Sequence, residues 1–162
     1  MGENKTEHVI KLPIDAIDEF VEATPQVPCL PNEVANVLQD LSKAVDEKSY
    51  IPQTPTIENP ALSDDYVFNT SDENKILKDL KSENFVGKVL DLSKGAEKRR
   101  KQGLPQEYLY VFKYPCELKR RDAEESGVIS EQILIYIKVN VRKIPYEKVF
   151  VVSFHKNRTK GR

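Results

Sequence analysis

Before residue 85 the apolar positions recur at spacings of three and four, and from Phe85 onward they alternate with a period of two. The chain therefore reads as helix first and strand afterwards. In the helical part, Val34, Val37, Leu38, Leu41 and Val45 form one stripe along a helix expected over 33–48. Pro31 and Asn32 stand at its start, and Glu33 adds an acid to its first turn. A helix of this length is not stable alone in water, so the stripe is a docking face that needs a partner surface. A shorter helix is expected from Lys75 to Ser82, with Ile76, Leu77 and Leu80 on one side and Ser71 with Asn74 or Asp72 as its cap. Upstream, Ile14, Ile17 and Val21 at helical spacing predict a brief helix from Asp15 to Ala23.

The strand part has four segments. Phe85 to Leu92 is an apolar, β-branched run. Glu107 to Leu118 alternates Tyr108, Tyr110, Phe112 and Tyr114 with Leu109 and Val111, interrupted by Pro115. Val128 to Val141 places Ile133, Ile135, Ile137 and Val139 on one face and Leu134 and Tyr136 on the other, and Lys148 to His155 repeats the pattern. A turn at Pro145 makes the last two an antiparallel hairpin, and Tyr66 to Phe68 is a further short strand. Strands apolar on both faces are covered on both sides. The predicted class is α+β: about four mainly antiparallel strands over residues 85–155, packed by two to three helices. A small β-barrel is the alternative.

Prolines and charge divide the chain further. Pro52, Pro55 and Pro60 make 50–63 a linker, because each lacks a backbone donor and holds its predecessor out of the helical region. The expected organisation is an acidic N-terminal arm, 1–70, carrying the 33–48 helix and the 50–63 linker, and an α+β domain, 71–162, with basic loops. In all, 25 Lys and Arg nearly cancel 26 Asp and Glu. The cancellation hides a dipole, since residues 1–81 carry 7 basic and 16 acidic side chains while 82–162 carry 18 and 10, a net of −9 against +8. Thr24-Pro25 and Thr54-Pro55 match the proline-directed kinase pattern, a common dipeptide that also reads as an unmodified turn.

Several function classes lose ground on this reading. The longest apolar runs, Tyr108 to Phe112 and Ile133 to Ile137, fall far short of the roughly 20 residues that cross a bilayer. The start lacks the profile of a secretory signal, and Met1 to Thr6 satisfies the myristoylation pattern only formally, with acids at Glu3, Asp15, Asp18, Glu19 and Glu22. With two cysteines, Cys29 and Cys116, a reducing compartment is expected, nucleus or cytoplasm. His8, Cys29, Cys116 and His155 stand far apart in sequence and lack metal-ligand spacing. None of the six glycines builds a phosphate-binding loop, and the carboxylate pairs are adjacent rather than opposed. No catalytic residue, metal, cofactor or small-molecule substrate is expected.

The basic segments carry what functional content remains. Lys94, Lys98, Arg99, Arg100 and Lys101 are expected in the loop after the first strand, and Lys119, Arg120 and Arg121 in the next loop, at opposite ends of a meander. Three readings compete: an acidic protein surface as partner, nucleic-acid phosphate with tyrosines for stacking, or solvated loop charges diluted by Glu97, Asp122, Glu124 and Glu125. Lys98 to Lys101 also fits a short nuclear import pattern. The expected function is a non-catalytic protein–protein interaction module, a subunit or adaptor of an intracellular, nuclear or cytoplasmic, multi-protein assembly. The alternative is a nucleic-acid-binding domain using loops 94–101 and 119–121.

Overall fold

A computed structural model describes residues 9–14 and 25–157. The helix expected from Asp15 to Ala23, together with His8 and Thr24, lies outside the described residues.

The alternating stretch after Glu107 forms the longest central strand, β3 (Tyr108–Lys119), and the sheet is organised around it. On one side β4 (Ser130–Arg142) pairs antiparallel over most of its length, and β5 (Lys148–Lys156) continues antiparallel on β4. On the other side two strands lie end to end. β2 (Phe85–Leu90) pairs with Tyr108–Phe112, and β1 (Val9–Lys11) pairs with Cys116–Leu118. All four expected strands form, and the sheet is open rather than a barrel. The fifth, β1, is three residues long. The strand expected at Tyr66 to Phe68 is reduced to one bridge between Tyr66 and Arg120, which extends the same edge of β3.

Pro115 shows why this edge is assembled from pieces. The backbone groups of Glu107, Lys113, Pro115, Lys119 and Arg121 all bond toward the β2/β1 side, receiving Asp91 N, Asn84 Nδ2, Leu12 N and Val67 N and, at Arg121, donating to Asp65 O. The amide hydrogen that Pro115 lacks therefore falls at the joint between β2 and β1, and the ladder to β4 is undisturbed. Buried Asn84 fills that joint with its side chain, 3.0 Å from Lys113 O.

The outer edges are also occupied. Ile51 bonds Val149 O and Val151 N of β5 at 2.9 and 2.8 Å, and Gln53 Oε1 accepts from Phe154 N at 2.7 Å. Val27 N donates to Lys88 O on β2. The proline-rich 50–63 segment thus covers an edge strand, a common defence against pairing with other chains.

Helices α1 (Pro31–Asp46) and α2 (Thr70–Asp79) share one core with a single sheet face. Pro31 is the first helical residue, and Leu30 N donates to Glu33 Oε1. Val34, Val37, Leu41 and Val45 are buried and Leu38 packs at the core margin, so the stripe docks on this chain's own Phe112, Cys116, Ile135 and Ile137 layer. The α2 cap lies earlier than Ser71: Asn69 and Asp72 exchange hydrogen bonds between each side chain and the other's backbone N–H, at 3.0 and 2.9 Å. Tyrosines then clasp this layer together. Tyr50 donates to Glu73 (2.7 Å), Tyr66 to Glu131 (3.0 Å), Tyr110 to Glu33 (2.9 Å) and Tyr114 to Asp79 (2.8 Å).

The expected loop between β2 and β3 is in fact helical, and the segment forms α3 (Lys94–Lys101). Ser93 Oγ accepts from Ala96 N at 3.3 Å to start it. It ends in a Schellman motif: Gly103, at φ +96°, donates to Arg100 O, and Leu104 N donates to Arg99 O. Only Ala96 is buried, so no apolar stripe marks the helix in sequence. A one-turn helix, α4 (Ala123–Ser126), precedes β4 and ends at Gly127 with φ +79°.

Candidate interaction surface

The basic run of α3 divides by helical geometry. Ala96 faces the sheet, and Lys94, Lys98 and Lys101, at spacings of four and three, lie on the opposite, exposed side. Arg99 turns inward and meets Glu107 with two bonds, 2.5 and 3.0 Å. Arg100 pairs back to Glu97 at 2.8 Å. Among the described residues the three lysines have no ion-pair partner. Concentrating cations in the last turn also complements the helix dipole, which explains why the run can sit there but not why its first member, Lys94, projects outward with the others.

Beneath α3 is a polar cluster on the second sheet face. Asn140, 3% exposed, donates from Nδ2 to Asp91 Oδ2 (2.7 Å) and to Glu107 Oε1 (3.0 Å). Asp91 in turn accepts from Ser93 N at 3.0 Å, so the cluster fixes the start of α3. The Arg99 guanidinium holds the Glu107 carboxyl below the usual range against the opposing effect of burial, and the Asn140 amide assists. Arg142 lies close enough to add its positive field to Glu107, and Tyr146 close enough to interact with Arg99. The β4–β5 turn and α3 are therefore neighbours at one end of the sheet.

Three large apolar side chains are exposed around this end: Leu92 at 56%, Ile144 at 50% and Tyr146 at 64%. Sequence reasoning missed these three; it counted Arg142 among the basic residues and put the 142–147 turn at the same end as the 93–106 segment, but did not make Arg142 a site residue. The available signal was the placement of Leu92, Ile144 and Tyr146 in otherwise polar connections, and of Arg142 on the less apolar face of its strand.

The other sequence-predicted cations are elsewhere. Lys119, Arg120 and Arg121 lie at the far end of β3, whose 12 residues span roughly 40 Å. Arg120 is held by Asp122 and Glu131, each at 2.8 Å, and Arg121 Nε donates to Ser63 O. The eight residues thus form two separate groups. The tyrosines considered for base stacking are also engaged: Tyr110 and Tyr114 bond carboxylates on the helix-covered face, Lys88 Nζ sits 4.2 Å from the Tyr108 ring centre, and Tyr136 packs 5.5 Å from the His155 ring.

At the same end as α3, on the α1 side, a cleft of about 250 Å³ between α1 and the β4–β5 hairpin gathers Asp40, Lys43, Glu47, Arg142 and Lys148. It is crossed by Lys143, which pairs with Asp40 at 2.9 Å and Glu147 at 3.3 Å. Cys116 is fully buried under the helices, and burial pushes its thiol up to about 12, which suits packing rather than nucleophilic attack. Among the described residues no helix is long and apolar enough to cross a membrane. In comparisons with protein-family models, curated proteins and solved structures, nothing matches the chain.

Proposed function

We propose that the chain is a non-catalytic interaction module, a subunit or adaptor of an intracellular multi-protein assembly, that engages an acidic protein partner through the exposed side of α3. The observation that carries this reading is the exposed ridge of Lys94, Lys98 and Lys101 at the same end of the sheet as exposed Leu92, Ile144 and Tyr146. A cationic ridge that shares its end with exposed apolar side chains suits a partner segment that alternates acidic and apolar residues, because charge steers the encounter and apolar burial holds the complex.

The reading of these charges as a nucleic-acid site has less support. Affinity for phosphate grows with the number of free cations along one path, and here the two basic groups are separated and Arg99, Arg100 and Arg120 are each paired to a carboxylate.

The test is affinity capture from cell extract with the wild-type chain and with K94E/K98E/K101E, each with and without nuclease. Partners retained by wild type after nuclease and lost by the triple variant support the proposal. Capture that disappears with nuclease selects nucleic acid instead, and capture unchanged by charge reversal rejects the α3 surface.

A further inference from the structure

Arg142, the last residue of β4, is 8% exposed, and its Nε is buried with no hydrogen-bond partner. Its guanidinium carbon lies 4.9 Å from the Phe150 ring centre and 5.5 Å from that of Tyr146. Aromatic faces attract a cation but accept its in-plane N–H groups poorly, so the stacking leaves the edge of the fork without an oxygen. The carboxylates around it bond elsewhere or not at all to Nε: Glu107 takes two bonds from Arg99 and one from Asn140, and of the acids that share a cleft with Arg142, Asp40 and Glu147 pair with Lys143 while Glu47 leaves Nε unbonded. A buried charged donor left without an acceptor costs free energy, so such a group in a folded chain calls for an acceptor from outside.

We infer that Arg142 is the anchor of the interaction surface, and that the group it takes is a carboxylate of the acidic partner segment. The inference rests on the function proposed above and deepens it. The guanidinium supplies a fork whose geometry matches a carboxylate, the two aromatic rings fix its plane, and Tyr146 also offers an exposed apolar flank. Lys94, Lys98 and Lys101 then act as the outer, screened charges that bring the segment in, while Arg142 provides the desolvated contact that holds it. A protein carboxylate fits better than a nucleic-acid phosphate because Tyr146 flanks the site and Leu92 and Ile144 are exposed at the same end of the sheet.

The experiment uses the full chain and two readouts. In the first, the Arg142 Nε–H resonance of arginine-labelled protein is followed while sodium acetate, inorganic phosphate or sodium chloride is added at matched ionic strength. Acetate is expected to shift Arg142 and leave Arg99 and Arg120 in place. A shift with phosphate alone, or the same response to chloride, overturns the carboxylate assignment, and no response to any anion marks a site satisfied by water and overturns it too.

In the second, a fluorescent dodecapeptide alternating Glu with Leu is titrated against wild type, R142M and K94A/K98A/K101A, with thermal midpoints measured alongside. R142M is expected to lose at least tenfold in affinity while its midpoint stays level or rises, because it removes a buried donor that has no acceptor in the free protein. A lowered midpoint with unchanged affinity makes Arg142 a structural residue and overturns the inference. Binding lost in the lysine variant but kept in R142M overturns the anchor and leaves the α3 surface standing, whereas no binding by wild type overturns both.

Discussion

Asn140 and Glu107 show how few side chains hold one end of the sheet. Asn140 ties two carboxylates together, Asp91 and Glu107, at a nearly water-free position, adding to the Ser93 N–H on the first and the Arg99 guanidinium on the second. Asn140→Leu is expected to cost about 2–3 kcal/mol in urea unfolding, because it leaves charged acceptors short of a donor. Glu107 also sets a pH dependence. Its carboxyl is held low by Arg99 first and by Asn140 in addition, so its contribution is complete above the unfolded-chain value of about 4.3 and is lost as pH falls through the lower folded value. Glu107→Gln should therefore lower stability at pH 7 and flatten the fall that wild type shows between neutral pH and about pH 3. Unfolding midpoints measured across that range check the sign. These partners were not legible in sequence: position 140 reads only as a polar break in a strand, and nothing local places it against positions 91 and 107.

At the scale of elements, legibility followed the amount of apolar surface each element buries. The α1 stripe and β2 to β5 were readable because periodic apolar residues face a core. β1 was not, since three residues give no period, and its Val9 and Ile10 resemble any short apolar pair. Helix α3 was missed for a different reason. With Ala96 as its one buried residue, it is defined by its ends, and the Ser93 cap and the Gly103 stop were both present in the sequence. Those ends are therefore its main supports. Ser93→Ala and Gly103→Ala should each destabilise it by about 1 kcal/mol, the second through backbone alone, since a Cβ at Gly103 meets nothing within 4 Å. Faster amide exchange at Arg99 to Gly103, with exchange in β4 unchanged, is the expected signature. Because α3 presents the lysine ridge, the same variants should weaken binding of the acidic peptide without altering any residue that would touch it.

For the molecule as a whole, the opposed charges of the two halves meet inside one structure. Glu33 pairs with Lys88 at 2.6 Å and Asp40 with Lys143 at 2.9 Å, while tyrosines from either half donate to carboxylates of the other. Sequence alone left open whether the acidic half docks on its own chain or on another. The amphipathic face of α1 made a partner necessary but could not say whose surface it was, because the matching residues lie roughly 70 to 100 positions away in β3 and β4. A further expectation follows for proteolysis. Thr54 to Glu58 is exposed, so a single cut there is expected, yet the fragments should co-elute on gel filtration without denaturant, since α1 and the sheet share one core.

The edge of β3 that is tiled by β2, β1 and the Tyr66 bridge has a consequence for biosynthesis. Residues 9–11 emerge from a ribosome about a hundred residues ahead of the Cys116–Leu118 segment they pair with, a wait on the order of 5–20 s at usual elongation rates. Throughout that interval the first strand has no template, and the 65–67 segment shares its situation for a shorter time. Closure of this edge is therefore a late event governed by synthesis of β3, and a chain stalled before residue 119 would hold its helices without the Ile135 and Ile137 of β4 that complete their core.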